Sequence, residues 1–295
     1  MAVIELGEHL ALASLRALQG FDRRFIATSI GRTHVLERRG DGPLPPVVLL
    51  HGLSSAGVHY VRVTPHLRSV SRLLLPDLPG HGFSDMPASL TGADLLTGSL
   101  ETLDAVIDRP VILSGNSLGG YVAIRYALAR PEKVGGLMIA APAGALMDAA
   151  ELEALRARFL LATHRDALDF VDALFARPRR SRHLIAMGLR KYFALPQTKA
   201  VLAELHVSRL FTPEEIASLK VPVLFLWGAA ERILPASNRA FFETHLPAHA
   251  RLEYPPGWGH SGFLDDPRGF AARVVRFAAE LAGLSTDEAE RLRAR

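Results

Sequence analysis

Ser117 stands in the run Gly115-Asn116-Ser117-Leu118-Gly119-Gly120, after the apolar Val111-Ile112-Leu113 and before the helix-like Tyr121-Val122-Ala123-Ile124-Arg125-Tyr126-Ala127-Leu128. A serine squeezed between glycines at a strand-to-helix turn fits a strained elbow that holds its hydroxyl clear of the backbone. The flanking glycines let strand and helix approach closely. A hydroxyl is a poor nucleophile at neutral pH and needs a base. His260, in Gly257-Trp258-Gly259-His260-Ser261-Gly262, follows the last strand-like run. A histidine on a loop at the carboxyl end of a parallel sheet can reach a serine presented by a neighbouring strand.

The base in turn needs a carboxylate, and the loop Trp227-Gly228-Ala229-Ala230-Glu231-Arg232-Ile233-Leu234-Pro235 offers one acid, Glu231. The order Ser117, Glu231, His260 is that of serine hydrolases built on such a sheet. Glu231 would hold the imidazole in one tautomer and stabilise the imidazolium; the plainer alternative is a surface acid paired with Arg232. Developing oxyanion charge needs two donors. The backbone N–H of Leu118, at a helix amino terminus, is one. Leu53, in His51-Gly52-Leu53-Ser54-Ser55 after the run Val47-Val48-Leu49-Leu50, is the other.

Other candidates receive structural readings. His51 reads as a buttress of the oxyanion loop, His81 as part of a turn, and Asp265 and Asp266, ahead of Pro267, as helix caps. His245 and His249 are spaced i,i+4, but Pro247 interrupts them and no Glu follows the first, so no metal site is expected. The elbow lacks both the P-loop Lys-Ser/Thr and the GxGxxG order, so no phosphate-bearing cofactor is expected either.

Short runs apolar on both faces must position these groups, Val47–Leu50, Leu73–Leu75, Val111–Leu113 and Leu137–Ala140, with further strand-like runs at Val221–Trp227 and Arg251–Tyr254. They read as strands buried in a parallel sheet. Helical patterns at 94–107 and 121–129 separate them, which implies a doubly wound, mostly parallel α/β sheet with right-handed crossovers. Residues 25–30 and 33–38 read as a hairpin about Gly31-Arg32, giving eight strands in all. From 145 to 218 strand-like runs vanish. That segment reads as a helical cap, broken at Pro178, Gly188, Pro196 and Pro213, inserted between two strands of the core (25–144 and 219–284). Residues 1–24 read as an amphipathic helix lying on the body or lining an entrance, with weak membrane-surface contact as a further role. A last helix near 269–282 precedes a charged tail, 285–295, expected to fray.

Composition narrows the classes. Of 295 residues 49% are hydrophobic and 22% charged, enough for a large core. The net charge is +4, and only four of the 34 basic residues are lysines. That arginine bias fits GC-rich coding better than a nucleic-acid surface. The densest basic run, Arg177-Pro178-Arg179-Arg180-Ser181-Arg182, lacks interleaved aromatics and reads as a solvated cap edge rather than a nucleic-acid platform. With no cysteine, thiolate chemistry is excluded. The first twenty residues carry Glu5, Glu8 and His9 and lack a basic start and a cleavage site, so no signal peptide is read there. With no run suited to spanning a bilayer, the expectation is a cytoplasmic protein.

Taken in order, His51-Gly52, Asp77-Leu78-Pro79-Gly80-His81-Gly82-Phe83-Ser84, Gly115 to Gly120, Trp227-Gly228 with Glu231 and Pro235, and Gly259-His260 resemble the α/β-hydrolase superfamily over roughly residues 25 to 282. The chain departs from it at Glu231, where members usually carry Asp. The resemblance implies acyl transfer through Ser117 and deacylation by water activated by His260, without cofactor. Ser117 argues against the dehalogenases and epoxide hydrolases, which use aspartate. A small-molecule carboxylic ester with an apolar acyl group is the simplest substrate, since the cap carries Phe159, Leu160, Leu161, Phe170, Leu174, Phe175 and Phe193. Carbon–carbon hydrolysis of the meta-cleavage type, perhydrolysis and a non-catalytic ligand receptor stay open. Ser261 after the histidine, where meta-cleavage hydrolases commonly carry tryptophan, weighs against the first.

Overall fold

In the computed structural model, which describes residues 3–204 and 206–294, the buried apolar runs assemble into one eight-stranded sheet. Its strands are β1 Asp22–Thr28, β2 Gly31–Arg39, β3 Val47–Leu50, β4 Arg72–Pro76, β5 Val111–Asn116, β6 Val134–Ala140, β7 Val223–Leu226 and β8 Arg251–Glu253. Their order is β1-β2-β4-β3-β5-β6-β7-β8. β2 runs antiparallel to both its neighbours, and every pair from β4 onward is parallel. The chain steps from β3 outward to β4, then returns to the far side of β3 as β5. The winding therefore reverses there, and the loops leaving β3 and β5 open beside one another at the carboxyl edge, where such sheets bind ligands.

The helices are α1 Val3–Gln19, α2 Gly92–Val106, α3 Leu118–Ala129, α4 Ala149–Ala157, α5 His164–Leu174, α6 Arg182–Phe193, α7 Pro196–Ala203, α8 Pro213–Ala217, α9 Ala236–His245, α10 Gly262–Asp265, α11 Pro267–Leu281 and α12 Thr286–Ala294. Strand side chains alternate between two cores, as a period of two requires. Val48, Leu50, Leu113, Ile139 and Phe225 meet α2, α3 and α9 on one face. Val47, Leu49, Ile112, Met138 and Leu224 meet α1 and α11 on the other. Helices α4 to α8 all lie between β6 and β7, and a bridge from Ala145 to Phe211 closes the base of that insertion. Leu12 and Leu15 seat α1 on the body, while Leu6 and Leu10 face outward. Among the described residues no helix is long and apolar enough to cross a membrane.

Three local expectations are corrected. The hairpin turn is Ser29-Ile30, two residues earlier than Gly31-Arg32, because Thr28 Oγ1 donates to the Gly31 carbonyl at 2.6 Å while Glu101 binds the Ser29 N–H and hydroxyl. Gly188 does not break the cap; it lies inside α6, whose neighbours Ala186 and Leu189 are buried. The charged tail, expected as a frayed segment, is helical over Thr286–Ala294. It forms α12, capped by the Ser285 hydroxyl and the Glu288 carboxylate, with Ala289 buried and Leu292 packed on the α11 core.

Candidate active site

Ser117 closes β5 and opens α3 with φ 54° and ψ −117°. A non-glycine residue at that φ is strained by about 1–3 kcal/mol and persists only where its surroundings fix it. Here its N–H donates to the Ala140 carbonyl, and its own carbonyl accepts from Tyr121 and Ala143. Two glycines make this geometry fit. A Cβ on Gly115 would lie 2.2 Å from the Gly119 carbonyl oxygen, and one on Gly119 would lie 2.4 Å from that of Leu50.

His260 Nδ1 lies 2.8 Å from Glu231 Oε2. The acid side chain is 2% exposed, so it is not a surface partner of Arg232. Its second oxygen accepts the N–H groups of Ile233 at 2.6 Å and Leu234 at 3.0 Å. Burial by itself would raise the Glu231 pKa; the His260 ring, its hydrogen bond and these two N–H groups outweigh it and hold the carboxyl below its usual range. A carboxylate at that distance places the proton on Nδ1 and leaves Nε2 free to accept one. Gly228, at the start of the same loop, lies directly against the histidine loop: a Cβ there would be 2.4 Å from the Trp258 carbonyl oxygen.

The loop after β3 runs beside the elbow. A Cβ on Gly52 would sit 3.2 Å from that of Ser117. His51 lies beneath, its Nδ1–H donating to the Gly52 carbonyl and its Nε2 accepting the Leu78 N–H. Burial, with His81 nearby, depresses its pKa to about 3, so it buttresses the loop as a neutral ring. His81 bonds the Pro79 carbonyl within its turn.

Ser117, Leu53 and His260 share the wall of one small cavity, roofed by Phe159, Phe170 and Phe193 of the insertion. A second, almost wholly apolar cavity of about 120 Å³ leads from Ser117 past Leu118 and Tyr121 to Leu152, Leu155, Val201 and Leu210. The expected apolar cap residues do not all face these spaces. Leu160 is 64% exposed, and Phe175 lies under the Arg179 guanidinium. The basic run is only partly solvated, since Arg179 pairs with Asp265 and Arg182 with Asp172.

Several organising residues escape sequence reasoning. Asn116 Nδ2 donates to the carbonyls of both Ala140 and His260, tying the elbow to the histidine loop. Arg232 reaches the carbonyls of Asp172 and Phe175 in the insertion. Asp266 caps α11 through the Gly269 N–H as expected, but Asp265 does not; it bonds the N–H groups of Gly259 and Ala176. Among the described residues no group of three or more ligating side chains could hold a metal. His249 instead meets the Val221 carbonyl and His245 the Phe241 ring.

A family model described as the alpha/beta hydrolase family matches residues 47–273. The pimeloyl-[acyl-carrier protein] methyl ester esterase of Yersinia enterocolitica is 28% identical over 249 residues, 79% of this chain and 93% of that protein. Among solved structures, a bacterial membrane phospholipase A superposes with a TM-score of 0.78 at 22% identity, covering 95% of this chain and 94% of its own. A 2-hydroxy-6-oxo-6-phenylhexa-2,4-dienoate hydrolase from Rhodococcus sp. strain RHA1 does so at 0.74 and 21%, covering 89% and 98%. At such identities these structures share the fold.

Proposed function

Since the chain belongs to the alpha/beta hydrolase family, we propose that it cleaves a carboxylic ester through an acyl-enzyme on Ser117. The observation that carries this reading is the strained Ser117 in one cavity with His260, whose far nitrogen is bonded to the buried Glu231. His260 Nε2 takes the hydroxyl proton as Ser117 Oγ attacks the acyl carbon. Glu231 stabilises the resulting imidazolium, and the N–H groups of Leu53 and Leu118 receive the oxyanion. Collapse expels the alcohol, to which His260 returns the proton; water, activated by the same histidine, then releases the acid.

The apolar cavity beside Ser117 supports an acyl chain as the part recognised there. The Yersinia relative's name, a methyl ester esterase, supports a small alcohol as leaving group. On α1 the exposed Leu6 and Leu10 support weak contact with a membrane surface, which co-sedimentation with lipid vesicles checks. The main test is turnover of p-nitrophenyl esters of graded chain length by the wild type and Ser117→Ala. Hydrolysis lost in the variant is expected. No turnover across the series, with a vinylogous diketone cleaved instead, would replace ester by carbon–carbon hydrolysis.

A further inference from the structure

Asp265 sits one residue ahead of the helix cap it was expected to share, and it does something else. Its side chain is 5% exposed. Oδ2 accepts the Gly259 N–H at 2.8 Å, immediately before His260, and the Ala176 N–H at 3.1 Å, in the connection between α5 and α6. Oδ1 meets Arg179 Nη2 from that same connection at 2.8 Å, and the same nitrogen reaches the Leu264 carbonyl. One carboxylate therefore joins the histidine loop to the insertion above it.

The surrounding backbone is built around this join. A Cβ on Gly259 would lie 2.7 Å from the Ala176 nitrogen, so the two segments lie directly on one another. The Ser261 N–H, on the other side of His260, donates to the Leu174 carbonyl at 3.3 Å. Arg232, next to Glu231, binds the Phe175 carbonyl at 2.7 Å. Residues 172–179 thus touch both loops that carry the His260–Glu231 pair.

We infer that Asp265 is a positioning residue for His260, holding the histidine loop against the α5–α6 connection so that the imidazole keeps its place relative to Ser117. The inference rests on the ester-hydrolase reading above. It also assigns this part of the insertion a fixed, supporting role. Charge-assisted acceptance of two N–H groups is stronger than a neutral bond and sets both direction and distance. Without it, Gly259 and Ala176 lose their common acceptor, and His260 drifts on a glycine-rich loop. Misplacement by about 1 Å costs on the order of 100-fold in rate.

The test compares Asp265→Asn, Asp265→Ala and Arg179→Leu with Asp266→Ala, which loses only the α11 cap. With a p-nitrophenyl ester, Asp265→Ala should lower kcat by about 100-fold with KM within about two-fold, and Asp265→Asn, which keeps one acceptor oxygen, by less. Asp265→Ala combined with Arg179→Leu should be no slower than Asp265→Ala alone, because both remove one join. Asp266→Ala should lower Tm and leave kcat unchanged. A folded Asp265→Ala with wild-type kcat, or one that loses Tm without a kcat effect as Asp266→Ala does, overturns the inference. Labelling of Ser117 by a fluorophosphonate separates the two readings. If wild type is not labelled the hydrolase reading fails and takes this one with it; if wild type is labelled and Asp265→Ala is labelled equally fast, only the positioning role fails.

Discussion

The Asn116 side-chain amide lies 2.9 Å from the His260 carbonyl oxygen, and through that bond the residue before Ser117 holds the histidine loop. The same NH2 also donates to Ala140, the last residue of β6. One buried amide thus connects three carboxyl-terminal loops of the sheet. A carboxylate in its place would face two carbonyl oxygens with no proton to offer either. Asn116→Asp should therefore cost about 1–3 kcal/mol of stability and lower kcat, read by denaturant melts and ester turnover. Unchanged kinetics would show that this amide plays no part in placing His260.

Glu231→Gln should keep the fold but offer an amide where Nδ1 needs an acceptor of negative charge. A fall in kcat of about 10⁴-fold is expected. Glu231→Asp should fall between the two, because a shorter side chain cannot both reach His260 and keep the Ile233 and Leu234 N–H bonds. Steady-state kinetics of the three proteins order them directly; an active Glu231→Gln would move the acid elsewhere.

The buried His51 sets an acid sensitivity. Its folded pKa of about 3 lies below the ordinary 6.5, so the folded state excludes a proton that the unfolded chain accepts. Its stabilising contribution is complete above about pH 6.5 and is lost as pH falls from there toward about 3, at up to about 1.4 kcal/mol per pH unit. Protonation would also remove the Nε2 lone pair that receives the Leu78 N–H. Melts between about pH 7 and 4 should lose stability less steeply in His51→Gln, by close to one proton; parallel slopes would show that His51 contributes nothing there.

Ser117 carries strain that glycine would relieve. Ser117→Gly should be more stable than Ser117→Ala by about 1 kcal/mol, both being inactive. Gly119→Ala should destabilise by about 1–3 kcal/mol, since its new methyl would lie 2.4 Å from the Leu50 carbonyl oxygen. Thermal melts of the three variants check both signs.

Legibility from sequence followed the range of each signal. Strands β3 to β7 were readable because both faces of each are buried, leaving uninterrupted apolar runs. The meeting of Glu231 with His260, and of His260 with Ser117 at one cavity, was legible because each residue stands on a loop leaving a strand. The hairpin turn was missed because Gly31, with φ 135°, looks like a turn residue, whereas bonds from Thr28 and the distant Glu101 decide the register. Asp265 resembled its neighbour Asp266, a true cap. Partners outside its own helix start, Gly259, Ala176 and Arg179, separate their roles. Gly188 stays helical because Ala186 and Leu189 bury the face of α6, a tertiary gain that outweighs the local cost of glycine.

The proposed reaction requires a covalent acyl bond to Ser117. Intact-protein and peptide mass spectrometry after rapid acid quench of a reaction with a slowly deacylating p-nitrophenyl ester tests it most directly. The expected result is a mass increase equal to the acyl group, localised to the peptide bearing Ser117, appearing with the p-nitrophenol burst and absent from Ser117→Ala. Turnover at full rate with no acylated species, or an adduct that persists in Ser117→Ala, would contradict it.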